Sequence, residues 1–180
     1  MADPPQQQHL RLPPEIMAQF PTYTPTQRIA AVLAIRAPAD QRFASPFIEG
    51  QCQLHALRVE SDRRAVATFR FRVDRFYCNG SGNLHGGAQS AMFDMCTSIA
   101  LQAIGTPDFW MNGGVTRSLN VTCLRPAPEG EVLLLEAEVV QMGKTLALLH
   151  GTLRRERDGV LVSTCEHNKA AVPSKPGWKL

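Results

Sequence analysis

Aromatic residues are scarce in this 180-residue chain, at 7% with two Trp and two Tyr, and neither sign of charge dominates. Nineteen Lys+Arg face sixteen Asp+Glu, a balance of +3 with histidine neutral. A surplus so small and dispersed excludes a general nucleic-acid binder, although it leaves room for a local anion site. No apolar run approaches the roughly 18 to 20 residues of a membrane span. The first residues carry Asp3 and a Pro/Gln cluster where a secretion signal is basic and then apolar. The expectation is a protein without a membrane span, in the cytoplasm, with peroxisome and mitochondrion left open. Paired cysteines are missing too: Cys52, Cys78, Cys96, Cys123 and Cys165 fit neither a C-x-x-C zinc pair nor a disulfide framework. They read as free thiols in a reducing compartment, with no metal site. Cys165 and His167, two apart on one strand face, come closest to a nucleophile pair, but a free cysteine is more often a small buried apolar residue. What is present is 44% hydrophobic, enough for the core of one domain without disulfides or metal.

Residues 1 to about 25 hold six prolines (Pro4, Pro5, Pro13, Pro14, Pro21, Pro25) and Gln6 to Gln8, a composition that predicts a loose arm. Gln27 to Ile35 predicts a short helix broken by Pro38. Residues 1–50 are therefore read as an N-terminal arm, 51–173 as the folded domain and 174–180 as a tail. In the domain, segments 52–60 and 64–75 read as strands, the second alternating Ala65, Ala67, Phe69, Phe71 and Val73 with Thr68, Arg70 and Arg72. A loop at 79–83 leads to one long helix from about Gly86 to Ile104, stopped by Gly105 and Pro107. Strand character returns at 115–123, 131–141, 145–155 and 160–172, with a short hairpin signal at Asp158-Gly159. Short connections favour antiparallel neighbours, so the pattern predicts an α+β domain of about six strands with the helix lying on one sheet face.

Between Gly86 and Pro107 the only ionisable side chain is Asp94. A helix this apolar all round is buried on most sides, and a charge in its middle must be paired, hydrogen-bonded or used. Two readings stay open: a carboxylate held by Ser or Thr neighbours, or a base or nucleophile with a tuned pKa. Just before it, His85-Gly86-Gly87 puts two glycines in the first helical turn, each weakening the helix by roughly 1 kcal/mol. They make sense if a carbonyl oxygen must approach the free backbone N–H groups there; otherwise this is a plain loop-to-helix junction. His85 and Asp94, nine residues apart, are separated by roughly 13 Å along a helix and lie near opposite faces. They cannot serve one reacting atom within one chain, so a catalytic reading demands a homodimer.

These residues carry a resemblance. Asn79-Gly80, His85-Gly86-Gly87, Asp94, the run Gly114 to Thr122, Pro126, and Gly143 to Ala147 together resemble the hotdog-fold thioesterases, in the phenylacetate-degradation and acyl-CoA thioesterase 13-like branch of the 4-hydroxybenzoyl-CoA thioesterase superfamily. The resemblance covers about 52–172 and implies a hotdog fold, a long central helix wrapped by the sheet. It implies an acyl-CoA thioesterase, with Asp94 as base or nucleophile supplied across the dimer interface. The Gly86 amide would polarise the thioester carbonyl. Asn79 and His85 would orient substrate and helix-start loop, and Thr116, where the family often has Ser, would position the attacking water. It further implies substrate contacts at Gly87, at the turn Gln141, Met142, Gly143, Lys144, Thr145 and Leu146, and at His167 and Lys169. No cofactor is implied, since coenzyme A belongs to the substrate, and the implied assembly is a homodimer pairing into a tetramer. The competing expectations are hydrolysis of an acyl-carrier-protein thioester and a non-catalytic acyl-binding module. Trp178-Lys179-Leu180 departs from the peroxisomal Ser-Lys-Leu address by a bulky Trp and is not read as one.

Overall fold

The structure is a computed structural model that describes residues 14–35, 45–106 and 109–172. Three short helices, α1 (Pro14–Gln19), α2 (Pro25–Leu33) and α3 (Ser45–Gly50), lead into strands β1 (Gln53–Ser61) and β2 (Arg64–Arg72). The long helix α4 (Gly86–Ile104) follows. Strands β3 (Val115–Cys123), β4 (Val132–Met142), β5 (Leu146–Arg155) and β6 (Leu161–Ala170) complete the fold. All six strands form one antiparallel sheet in the order β1-β2-β4-β5-β6-β3. This is the α+β arrangement expected from the sequence, with every predicted strand present.

Alternation seats the helix. Along β4, Leu133, Leu135, Ala137 and Val139 are fully buried and point at α4, while Glu136 on the other face is exposed. The ring of Phe93 on α4 rests on β5 at Gly151, where an added Cβ would stand 2.5 Å from Phe93 Cδ1. Glycine in a central strand, ordinarily unfavourable, is what lets the helix approach this closely. One stripe of α4 escapes burial: Gly87 is exposed, and Ser90, Ala91, Asp94, Met95 and Ser98 are half-buried. The edge strand β3 behaves likewise, with no fully buried residue along its length. No helix among the described residues is long and apolar enough to cross a membrane.

The arm departs from expectation. Residues 14–19 are helical and Phe20 to Thr22 form a 3-10 turn, with Phe20 fully buried against Met111. Of the prolines that suggested a loose chain, Pro14, Pro21 and Pro25 lie in the first turns of helices instead, where a proline gives up no N–H that the helix needs, and Pro4, Pro5 and Pro13 lie outside the described residues. Pro25 opens α2 behind a capping box made by Thr24 and Gln27. Helix α3 is absent from the sequence reading, since six residues are too few for a periodicity. Its Phe47 packs edge-on to Phe71 with ring centroids 5.0 Å apart. Ile29 and Phe47 join the same core cluster as the sheet residues. The Pro38 helix stop and the 174–180 tail lie outside the described residues.

Candidate active site

The start of α4 is organised by side chains local in sequence. Asn79 Oδ1 accepts from the backbone N–H groups of Ser81 (3.0 Å) and Asn83 (3.2 Å), which closes the loop. His85 is the N-cap, its Nδ1 accepting from Gly87 N at 2.9 Å, so the neutral ring carries its proton on the exposed Nε2. Gly87 is needed by this cap, for a Cβ there would press on Nδ1 at 3.1 Å. Gly86 is different: a Cβ would meet only Cys123 Sγ at 3.8 Å. The protomer's own packing does not require glycine at this position. As the first helical residue Gly86 has no intrahelical acceptor, and its N–H makes no hydrogen bond to the described loop. A free, uncrowded amide at the positive end of a 19-residue helix is suited to a developing oxyanion.

Two and a half turns along, Asp94 is assembled from distant parts of the chain. Its side chain is 43% exposed, less buried than an all-apolar helix suggested. Thr116 Oγ1 on β3 donates to Asp94 Oδ1 at 2.6 Å. Three inward-facing residues of β6 stand behind it: Cys165, His167 and Lys169. His167 is fully buried, its Nε2 2.9 Å from Thr116 Oγ1 and 3.4 Å from Asp94 Oδ1, its Nδ1 2.7 Å from Thr97 Oγ1. Burial, reinforced by Lys169 and opposed by Asp94, pushes the imidazole down to about 4, so it is neutral at pH 7. Lys169 is 3% exposed and donates to Ser98 Oγ at 2.7 Å. Burial lowers its pKa, and the Asp94 charge works against that shift. The Cys165 thiol is pushed up to about 12 by burial and then by Asp94 and Glu166, so it is no nucleophile at neutral pH and does not pair with His167.

The chain reaches this point by a sharp corner. After α4, Gly113 and Gly114 both take positive φ (69° and 65°), and Trp110 does so as well (61°). At Gly114 a Cβ would fall 2.4 Å from Ala170 O and 2.5 Å from Trp110 Cζ3, so only glycine fits. The Trp110 indole donates to Gly143 O at 2.7 Å. That bond ties the corner to the β4–β5 turn.

The structure thus divides the predicted site. Asn79, His85, Gly86 and Gly87 gather at the helix start, and Asp94 with Thr116 forms a second group. The turn from Gln141 to Leu146 is exposed at Gln141, Lys144, Thr145 and Leu146, with Gly143 half-buried. Met142 is turned into the core. His167 and Lys169, read beside Lys144 as coenzyme A contacts, are buried behind Asp94 instead, because β6 alternation points them inward. Thr97 and Ser98 escaped the sequence reading as individuals. Their signal was polar residues three and four positions after a lone carboxylate, on its own helix face. Among the described residues no group of three His, Cys, Asp or Glu could hold a metal.

With this geometry in place, comparison with known proteins is decisive. The family model "Thioesterase superfamily" matches residues 81–162. Human acyl-coenzyme A thioesterase 13 is 32% identical over 100 residues, covering 54% of this chain and 67% of that protein. The chain belongs to the thioesterase superfamily. A Caenorhabditis elegans protein named an esterase is 31% identical over 105 residues, 58% of this chain but only 60% of that protein's own length. Thioesterase superfamily member 2 from Mus musculus shares the fold at a TM-score of 0.64 and 23% identity, covering 83% of this chain and 99% of that one. The fold of this superfamily member is therefore the hotdog, the helix wrapped by its sheet.

Proposed function

We propose that this thioesterase-superfamily chain hydrolyses acyl-CoA thioesters to free acid and coenzyme A, with a site completed by a second copy. The observation that carries the reading is the presence on one helix of an unengaged Gly86 N–H and a half-exposed carboxylate, Asp94. Roughly 13 Å of helix rise separates His85 from Asp94, so the two groups meet only when antiparallel copies of α4 lie side by side. The half-exposed stripe of α4 and the exposed β3 edge leave a continuous surface for that partner. We take a pair of such dimers as the assembly and the cytoplasm as the compartment.

In this site the thioester oxygen takes the Gly86 N–H, and Asp94 of the other copy removes a proton from an attacking water. The tetrahedral intermediate collapses with loss of the thiolate, whose thiol pKa near 8.5 to 10 demands no strong acid. The same residues admit direct attack by the carboxylate. His85 holds the cap, and Asn79 holds the loop that carries it. Gly87, Lys144 and the exposed residues of the Gln141–Leu146 turn take the coenzyme A portion, and the reaction uses no cofactor. A panel of acyl-CoA thioesters assayed by free-thiol release tests the reading. Turnover of acyl-CoA is expected, whereas hydrolysis of acyl carrier protein alone would overturn it. Mixing Asp94→Ala with His85→Ala protein under verified subunit exchange should restore activity, and a failure to do so would remove the shared site.

A further inference from the structure

We propose that His167 and Lys169 are positioning residues acting through Thr116: they occupy the acceptor side of its hydroxyl, committing its single proton to Asp94 Oδ1 and leaving Oδ2 free to take the proton of water. The inference rests on the thioesterase reading above. The argument is a count of protons. A threonine hydroxyl has one proton and two acceptor sites. Thr116 Oγ1 has three neighbours: Asp94 Oδ1 at 2.6 Å, His167 Nε2 at 2.9 Å and Lys169 Nζ at 3.5 Å. An ionised carboxylate only accepts, so the hydroxyl proton lies on the Asp94 line. Nε2 must then donate, which fixes buried, neutral His167 as the Nε2–H tautomer. Its bare Nδ1 then competes at 2.7 Å with Phe93 O, also at 2.7 Å, for the single Thr97 hydroxyl proton, and Phe93 O keeps the helical N–H of Thr97 when that proton turns to Nδ1.

Lys169 closes the remaining side. Its ammonium is anchored to Ser98 Oγ, and Ser98 donates to the Asp94 carbonyl at 2.6 Å, so the cation is fixed to the helical turn that carries the base. Burying an ammonium is costly without compensation, and here the compensation is the Asp94 charge together with two hydroxyl oxygens. The titratable groups facing Asp94 from β6 are thus His167, neutral, Lys169, and Cys165, a protonated thiol. An occupied Thr116 hydroxyl has neither a proton nor an open lone pair for the attacking water. The resemblance gives Thr116 the holding of that water; the geometry makes it the holder of the base.

The first test needs no turnover. In wild-type protein with 15N-labelled histidine, the ring shifts of His167 should show Nε2 protonated and Nδ1 bare at pH 7; the Nδ1–H tautomer would overturn the inference. The second is kinetic. Thr116→Val and His167→Leu should each lower kcat about 10- to 100-fold with KM within about twofold, the pattern of an interaction expressed in the chemical step. In a Thr116→Val background, adding His167→Leu should cost less than about twofold more, since its hydrogen-bonded route to Asp94 is already cut. Full additivity would overturn the proposal. Thr116→Ser should recover most of what Thr116→Val loses, and His167→Gln, whose amide N–H can replace Nε2–H, most of what His167→Leu loses. These rescues also separate lost positioning from misfolding. An inactive wild type would overturn the reaction that both inferences share, whereas an active wild type with the Nδ1–H tautomer overturns this one alone.

Discussion

The two ends of the candidate site on α4 are built by different means. Its start is held by two exposed side chains, Asn79 and His85, that bond to backbone within four residues, on a loop seated by backbone bonds from Leu84 to Ala127 and from Glu129 to Gly82. Nine residues on, Asp94 depends on Thr116, His167 and Lys169, between 22 and 75 positions away in sequence and carried by two further strands. A local device tolerates movement of the sheet behind it. A long-range cluster inherits every change in how helix and sheet are seated, and its groups must be buried to act on one another.

Removing either end tests the contrast, and the largest effect is expected at Asp94. Asp94→Ala should cut kcat by about two to three orders of magnitude, as loss of a base does. Its melting temperature should fall, because buried Lys169 loses its compensating charge, while the protein stays folded at assay temperature; near-normal turnover would take Asp94 out of the mechanism. Next comes pH, read at the Asp94 end. The folded pKa of His167, about 4, lies below its ordinary 6.5. Protons therefore bind the unfolded chain more readily, so the contribution of His167 is complete above pH 6.5 and is lost as pH falls toward 4, a change of about 3 kcal/mol. Urea titrations at pH 7 and pH 4 should show that loss in wild type and not in His167→Gln. At the other end, His85→Ala removes the cap, with an expected cost of about 1 kcal/mol in stability and about tenfold or more in kcat through a displaced Gly86 amide. An unaltered kcat would show that the loop keeps its shape without the imidazole. The smallest effect belongs to neither end. Lys144→Ala on the exposed β4–β5 turn should raise KM for acyl-CoA a few-fold, less at high salt, with kcat unchanged. Insensitivity of KM to both salt and substitution would remove this lysine from coenzyme A binding.

The same division governs what sequence alone discloses. The helix start is legible because its glycines, its cap and its loop residues are neighbours in the chain, and the boundaries of α4 follow from Gly86 and Gly105. All six strands follow from alternation and turn chemistry. That Asp94 matters is legible from its isolation, but its partners are not, since Thr116 and His167 meet only through the pairing of β3 with β6. Lys169 is legible as a cation and, through the resemblance, as a substrate contact, but its burial is not, because inward alternation on β6 and a positive charge point to opposite surroundings. The arm is less legible for a different reason: Pro14 and Pro25 count toward a loose composition, whereas at a first helical turn a proline is a starter.

The corner at Gly114 carries a consequence for how this scaffold diversifies. The carbonyl of Ala170 and the Trp110 ring leave no room for any side chain there, which fixes the point at which β3 begins and with it the height of Thr116 beside Asp94. Within the segment before that stop, Trp110 is tied to the task, since its ring closes Gly114 and its indole holds Gly143. Changes elsewhere in the segment that keep Trp110 seated leave Thr116 beside Asp94, so the surface before β3 can diversify while that pair stays in register.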